Sequence, residues 1–130
     1  MFFEKEIGKL GFGLMRLPRL ENQEIDVEQM KVMVDKFMEA GFNYFDTAWG
    51  YHNGQSEIVT GKILSKYPRD SYYLADKFPG YDLANMDKVE EIFEKQLEKT
   101  GVEYFDFYLM HNVCERNVNE YLDEKYRIFK

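Results

Sequence analysis

One cysteine and two histidines among 130 residues close off two classes of site at the outset. A lone Cys114 excludes an intrachain disulfide framework, and beside Val113 it reads as a small packed residue rather than a nucleophile. His52 and His111, with no cysteine cluster near them, do not make a metal site, and His52, in the loop after Tyr51, is expected to face solvent. Basic stretches are missing as well. Lysines and arginines are scattered through a chain of net charge −7, so nucleic acid is not an expected partner. No apolar run reaches membrane length, which argues against a membrane partner. Met1 to Leu10, interrupted by Glu4, Lys5, Glu6 and Lys9, lacks the apolar centre of a signal peptide, and a cytoplasmic protein is the expectation.

What is abundant is aromatic surface. With 45% hydrophobic residues, 11 Phe and 10 Tyr, the chain can bury one sizeable core, and residues 1–130 are expected to form a single domain. Such a composition is foreign to disordered chains.

Hydrophobic spacing and turn residues divide the chain into alternating strands and helices. Asp26 opens a helix with Gln29 in the capping-box position, Val27, Met30, Met33, Val34 and Phe37 recur at helical spacing, and Gly41 ends it. Phe42 to Asp46 then reads as a strand. Ser56 to Tyr67 reads as a helix with Glu57 in its first turn and Pro68 beyond its end, weakened at Gly61 unless something packs closely there. Ser71 to Phe78 is the next strand, Pro79-Gly80 a turn, and Met86 to Lys99 a helix that Gly101 caps. Phe105 to His111 is another strand, Leu10 to Leu14 an earlier one, and Val118, Tyr121 and Leu122 suggest a last helix continued by Tyr126 to Phe129. Apolar residues on both strand faces, with helices between, indicate a parallel sheet of βαβ units. The segments Gly41 to Asp46 and Gly101 to Asp106 echo one another, each placing Tyr-Phe-Asp after a helix-ending glycine. The first stops on its aspartate while the second runs on to His111, so Asp106 lies low in its strand.

Three strands therefore terminate on polar residues: Asp46, Lys77 and His111. In parallel α/β folds the carboxyl ends of the strands converge on one cleft. Tyr51, just beyond the first of them, is the candidate proton donor. A phenol titrates near ~10, and a neighbouring ammonium is the group that stabilises its phenolate. Lys77 can supply that ammonium, Asp46 can keep it charged and directed, and a neutral His111 can donate a hydrogen bond to a substrate carbonyl. Hydride for such a carbonyl has to come from a nicotinamide or flavin, because no side chain provides it. Gly11-Phe12-Gly13 is not a dinucleotide fingerprint, since the third glycine and the helix directly after it are missing; a tight bend or close packing accounts for it better.

Asp46-Thr47-Ala48-Trp49-Gly50-Tyr51 resembles the Asp-Thr-Ala-x-x-Tyr signature of the aldo-keto reductases, Ala75-Asp76-Lys77 resembles their lysine strand and Leu109-Met110-His111 their histidine strand, in the same order. Gly11 to Pro18 is similar to their first strand and the loop after it. The resemblance implies a TIM-type parallel (β/α) barrel and NADPH-dependent reduction of an aldehyde or ketone. It implies Tyr51 as general acid, with Lys77 and Asp46 tuning it and His111 orienting the small-molecule carbonyl substrate. Met15, Asp46 and Tyr51 are implied on the cofactor side and Trp49 with His111 on the substrate side, rim packing being the other reading for Met15 and Trp49.

A full (β/α)₈ barrel takes ~250 residues. About four strands and three to four helices are expected here, a half-barrel, without the family's second half and its contacts to the adenosine phosphate and pyrophosphate. Exposed strand edges and an uncovered inward face should then self-associate. The alternative to a reductase is a non-catalytic truncated half-barrel or assembly module. Another barrel enzyme, an isomerase or lyase, is disfavoured by the lack of a phosphate-binding loop.

Overall fold

A computed structural model describes residues 6–129, so Glu4 and Lys5 of the charged amino-terminal stretch lie outside the described residues. Four strands, β1 (Gly11–Gly13), β2 (Tyr44–Asp46), β3 (Tyr73–Phe78) and β4 (Phe107–Met110), pair in parallel and in chain order. Helices α1 (Val27–Glu39), α2 (Gln55–Leu64) and α3 (Val89–Thr100) make the crossovers, and a short α4 (Val118–Leu122) follows β4. This is the parallel sheet of βαβ units that the sequence pattern predicts, with the four strands of the half-barrel that the family resemblance implies.

The helix ends follow local chemistry. The Asp26 carboxylate accepts from the Gln29 N–H at 3.0 Å, and Gly41, with φ 88°, turns the chain so that Phe42 stacks on Phe37 at 5.4 Å. α2 stops at Leu64, three residues earlier than the apolar pattern suggests, and Pro68 disfavours helix at Tyr67. α3 begins at Val89 rather than Met86; Met86 is instead fully buried against Phe78, Ile92 and Tyr121. The expected continuation through Tyr126 to Phe129 is not helical. Asp123 leaves the helix and its carboxylate accepts from the Lys125 N–H at 3.0 Å, starting a separate turn that ends with Arg127 at φ 55°.

Alternation along the strands divides two layers. Phe12, Phe45 and Leu74 enter a core with Met30, Val34 and Phe37 of α1 and Val59, Ile63 and Leu64 of α2. Tyr44, Tyr73 and Phe107 share the opposite, inward face, with ring centroids of Tyr44 and Tyr73 at 5.5 and 6.3 Å from Phe107. At the amino end of the sheet Arg69 joins three segments. Its guanidinium donates to Asp106 at 2.7 Å, to the Tyr104 carbonyl at 2.9 Å and to the Tyr72 carbonyl at 3.0 Å, while Asp106 also accepts from the Leu74 N–H at 2.8 Å. Asp106 is thus occupied in joining β4 to β3, at the end of the sheet opposite Asp46.

Gly61 sits where α2 crosses α3. A Cβ there would lie 2.2 Å from the Thr100 carbonyl oxygen, which is backbone and cannot rotate away. Gly61→Ala should therefore lower unfolding free energy by about 1–3 kcal/mol in urea titrations, although alanine is the better helix former by about 1 kcal/mol. Arg69→Ala should cost a similar amount, about 1.5–3 kcal/mol, through loss of charge-assisted hydrogen bonds; unchanged urea midpoints would contradict either expectation.

Candidate active site

The carboxyl ends of β2 and β3 bring the predicted residues together. Asp46 pairs in register with Ala75, so Lys77, two residues further along the same face, reaches over the end of β2. Its ammonium donates to Asp46 at 2.5 Å and to the Thr47 carbonyl at 2.8 Å, and lies 3.3 Å from the Tyr51 hydroxyl. The three donor sites of one ammonium are matched to three oxygens. His111, at the end of β4, turns its ring edge-on to Tyr51 with centroids 5.8 Å apart, and Tyr81 flanks it at 5.1 Å. Burial and the Lys77 charge both hold the His111 imidazole below the ordinary histidine range, against a weaker pull from Asp46. It is therefore neutral at pH 7, with a buried Nδ1 that makes no hydrogen bond to the protein.

The loop that carries Tyr51 is fixed from below. The Ser56 hydroxyl donates to the Leu14 carbonyl at 2.8 Å and shares a 2.9 Å hydrogen bond with Thr47, tying the ends of β1 and β2 to the start of α2. After Tyr51 the chain turns through left-handed conformations at His52, Asn53 and Gly54, with φ of 51°, 53° and 86°. His52 is not a solvent-facing residue as expected. It is half-buried, and its Nε2 accepts from the Leu17 N–H at 3.0 Å, with the Arg19 guanidinium 3.3 Å from Nδ1. Burial and the Arg19 charge lower its affinity for a proton, which suits an imidazole that must accept. No sequence signal marks this role, because it depends on two loops meeting.

Met15 is half exposed in the loop after β1. Trp49 lies beneath the Lys99 ammonium, 4.7 Å from the ring centroid, and packs against the Phe78–Met86–Ile92–Tyr121 cluster. Packing accounts for its observed contacts.

Behind Lys77, on the helix-facing side of β3, is a polar network that the strand-end pattern does not reveal. Glu57 of α2 and Asp76 of β3 are both fully buried. Glu57 Oε1 is 3.3 Å from the Lys99 ammonium, and Asp76 Oδ1 accepts from Gln96 Nε2 at 3.1 Å. Burial, reinforced by the Glu57 charge, pushes the Asp76 carboxyl up to about 9; burial also raises Glu57, with Lys99 opposing. Glu57 occupies a first-turn position that suits an acid, so its helix-end role masks its burial.

Because His52 and His111 both bind protons less readily than free histidine, acidification favours the unfolded chain. Their contribution is complete above pH ~6.5 and is lost as pH falls through the lower folded values. His52→Gln should flatten part of the resulting drop in melting temperature; a drop of undiminished size would contradict this.

The profile of the Aldo/keto reductase family matches residues 9–127. A probable aldo-keto reductase from Glycine max is 33% identical over 117 residues, covering 83% of this chain and 34% of that protein. An NADH-specific methylglyoxal reductase of Escherichia coli is 27% identical over 101 residues, covering 62% and 31%. In structure, an aldo-keto reductase from Klebsiella pneumoniae in complex with NADPH superposes with a TM-score of 0.70 at 20% identity, over 93% of this chain and 42% of that one. The chain spans about a third of the length of these curated relatives. Matched along nearly all of its length, this chain belongs to the aldo/keto reductase family.

Proposed function

We propose that this chain carries the proton-donating site of a nicotinamide-dependent carbonyl reductase, acting on a small aldehyde or ketone with NADPH as the cofactor. The observation that carries this reading is one ammonium, Lys77, held between the Asp46 carboxylate at 2.5 Å and the Tyr51 hydroxyl at 3.3 Å. Tyr51 gives its proton to the carbonyl oxygen as that oxygen gains charge. The Lys77 ammonium stabilises the resulting phenolate, and Asp46 keeps the ammonium in place. His111, neutral and at the edge of the Tyr51 ring, offers its one N–H to the same oxygen and so orients the carbonyl. When bound, the nicotinamide supplies the hydride that the carbonyl carbon takes up, and hydride plus proton make the alcohol.

The inward face has room for the reacting end of such a cofactor. A Cβ on Gly13, the register partner of Asp46, would meet nothing within 4 Å. Met15, Asp46 and Tyr51 would hold the cofactor's reacting end. Trp49 would shape the substrate side by supporting the loop from which Tyr51 projects. NADPH is favoured by the ligand of the Klebsiella pneumoniae relative, while the Escherichia coli relative is named for NADH; nicotinamide is common to both.

A second reading, an assembly module, is favoured by the uncovered sheet. Among the described residues no strand pairs beyond β1 or β4, and Leu109 on the inward face is 41% exposed. A second copy of the chain is the partner proposed for that face.

NADPH fluorescence should change saturably on addition of the chain, and no binding at high micromolar cofactor would remove the claim that these residues suffice for an enzyme. Where turnover is observed, Tyr51→Phe should reduce it by about 10²–10⁴-fold with cofactor affinity nearly unchanged; retained turnover would refute Tyr51 as the acid. Light scattering at micromolar concentration should report a species larger than one chain, and a monodisperse monomer would count against the assembly reading.

A further inference from the structure

We propose that Glu57 and Asp76 hold a single proton between them and that this acid pair, together with Gln96, positions Lys77. Asp76 Oδ2 and Glu57 Oε2 are both buried with no other hydrogen-bond partner, and the two side chains lie within hydrogen-bonding reach of one another. Two ionised carboxylates are acceptors only, so neither oxygen could satisfy the other. One proton satisfies both. Charge points the same way: Lys99 pairs with Glu57 alone, and one ammonium balances one carboxylate.

The connection to Lys77 runs through its own peptide groups. Its N–H donates to Asp76 Oδ1 at 2.8 Å, and its carbonyl accepts from Gln96 Nε2 at 2.9 Å, the same amide nitrogen that reaches Asp76. Gln96 is fixed in turn by the Tyr108 hydroxyl, which donates to its Oε1 at 2.6 Å. Both backbone polar groups of Lys77 are thus held by side chains on the helix-facing side of β3, while its ammonium points to the inward face. The position of the ammonium over Asp46 depends on that hold.

Loss of the shared proton would place two adjacent anions in a buried space. The charged and titratable groups that act on them are Lys99 from α3, Tyr108 from β4, Tyr81 from the loop after β3 and, from the other side of the sheet, the Lys77 ammonium. Burial holds both tyrosines up, so they remain neutral and add no negative charge. Repulsion between the carboxylates then draws Asp76 Oδ1 from the Lys77 N–H. The importance of this for proton donation rests on the function proposed above; the pairing itself does not.

Carbon-13 and nitrogen-15 NMR of the whole labelled chain, from about pH 4 to about pH 10, tests it. One carboxyl carbon of the pair should remain protonated through neutral pH and ionise near pH 9, with the Lys77 amide shifting at the same midpoint. Asp76→Asn should abolish the alkaline step and leave the Lys77 amide flat below about pH 10, while Glu57→Gln, which removes the neighbouring charge but not the burial, should move the step to lower pH. Melting temperature gives an independent measure. A carboxyl raised in the folded state contributes stability that is complete below the unfolded value near ~4 and is lost as pH rises towards about 9. The melting temperature of Asp76→Asn relative to wild type should therefore climb across that window. Both carboxyls ionising below about pH 6, a Lys77 amide indifferent to the pair, or a constant melting difference would each overturn the proposal. If Asp76→Asn does not fold, Glu57→Gln and the wild-type titration decide. None of these measurements needs cofactor or turnover, so failure of the carbonyl-reductase reading would be recognised separately.

Discussion

Successive side chains of β3 point to opposite faces of the sheet, and that alternation assigns Asp76 to the helix layer and Lys77 to the inward face. Slipping the strand by one residue would bury an ammonium among α2 and α3 and expose a carboxyl to the site. Register is held on both sides: β3 pairs with β2 from Tyr73 to Ala75 and with β4 from Ala75 to Phe78. Leu74 and Phe78, on the same face as Asp76, are fully buried in separate apolar clusters, so the hydrophobic effect and the polar network favour one register together. A charged strand residue is in this way aimed closely at its partner.

Tyr51 depends on a different kind of restraint. It stands at the start of a turn whose left-handed backbone costs roughly 1–2 kcal/mol per non-glycine residue, which applies to His52 and Asn53. Asparagine tolerates this region better than most residues. The hydrogen bond from Leu17 to His52 and the buried Thr47–Ser56–Leu14 chain offset the cost at about 1 kcal/mol each. The phenol is presented by a loop, but the loop is bolted to β1 and α2, and this reconciles a strained turn with a defined hydroxyl position.

Much of the frame is legible in short stretches of the chain. Asp26 with Gln29, Gly41 and Gly101 as helix ends, and the condition attached to Gly61 all rest on interactions between residues near in sequence or on the steric demands of one residue, and the fold contains each of them. The distinction between Asp46 and Asp106 is legible too, because strand length alone sets which end of the sheet an aspartate occupies. His52 defeats the same reasoning, since a loop histidine between Tyr51 and Asn53 carries no sign of the Leu17 amide that meets it. The final residues mislead for the opposite reason: Tyr126 to Phe129 look periodic, yet the carboxylate of Asp123 competes locally with the helix and wins.

By itself the sequence determined the alternating strands and helices and the polar residues at three strand ends, because side-chain period, capping chemistry and the β-strand's two faces act over a few residues. It also carried the motifs from Asp46 to Tyr51 and at Lys77 and His111 by which the family is recognised. Only the tertiary structure decided that Glu57, Asp76, Gln96 and Lys99 form one buried group. These residues come from α2, β3 and α3, and their meeting depends on how closely the two helices approach, a distance set at Gly61 against the Thr100 backbone. Desolvation, which makes a carboxyl keep its proton, is a property of that assembled space and has no representation in the order of residues along the chain.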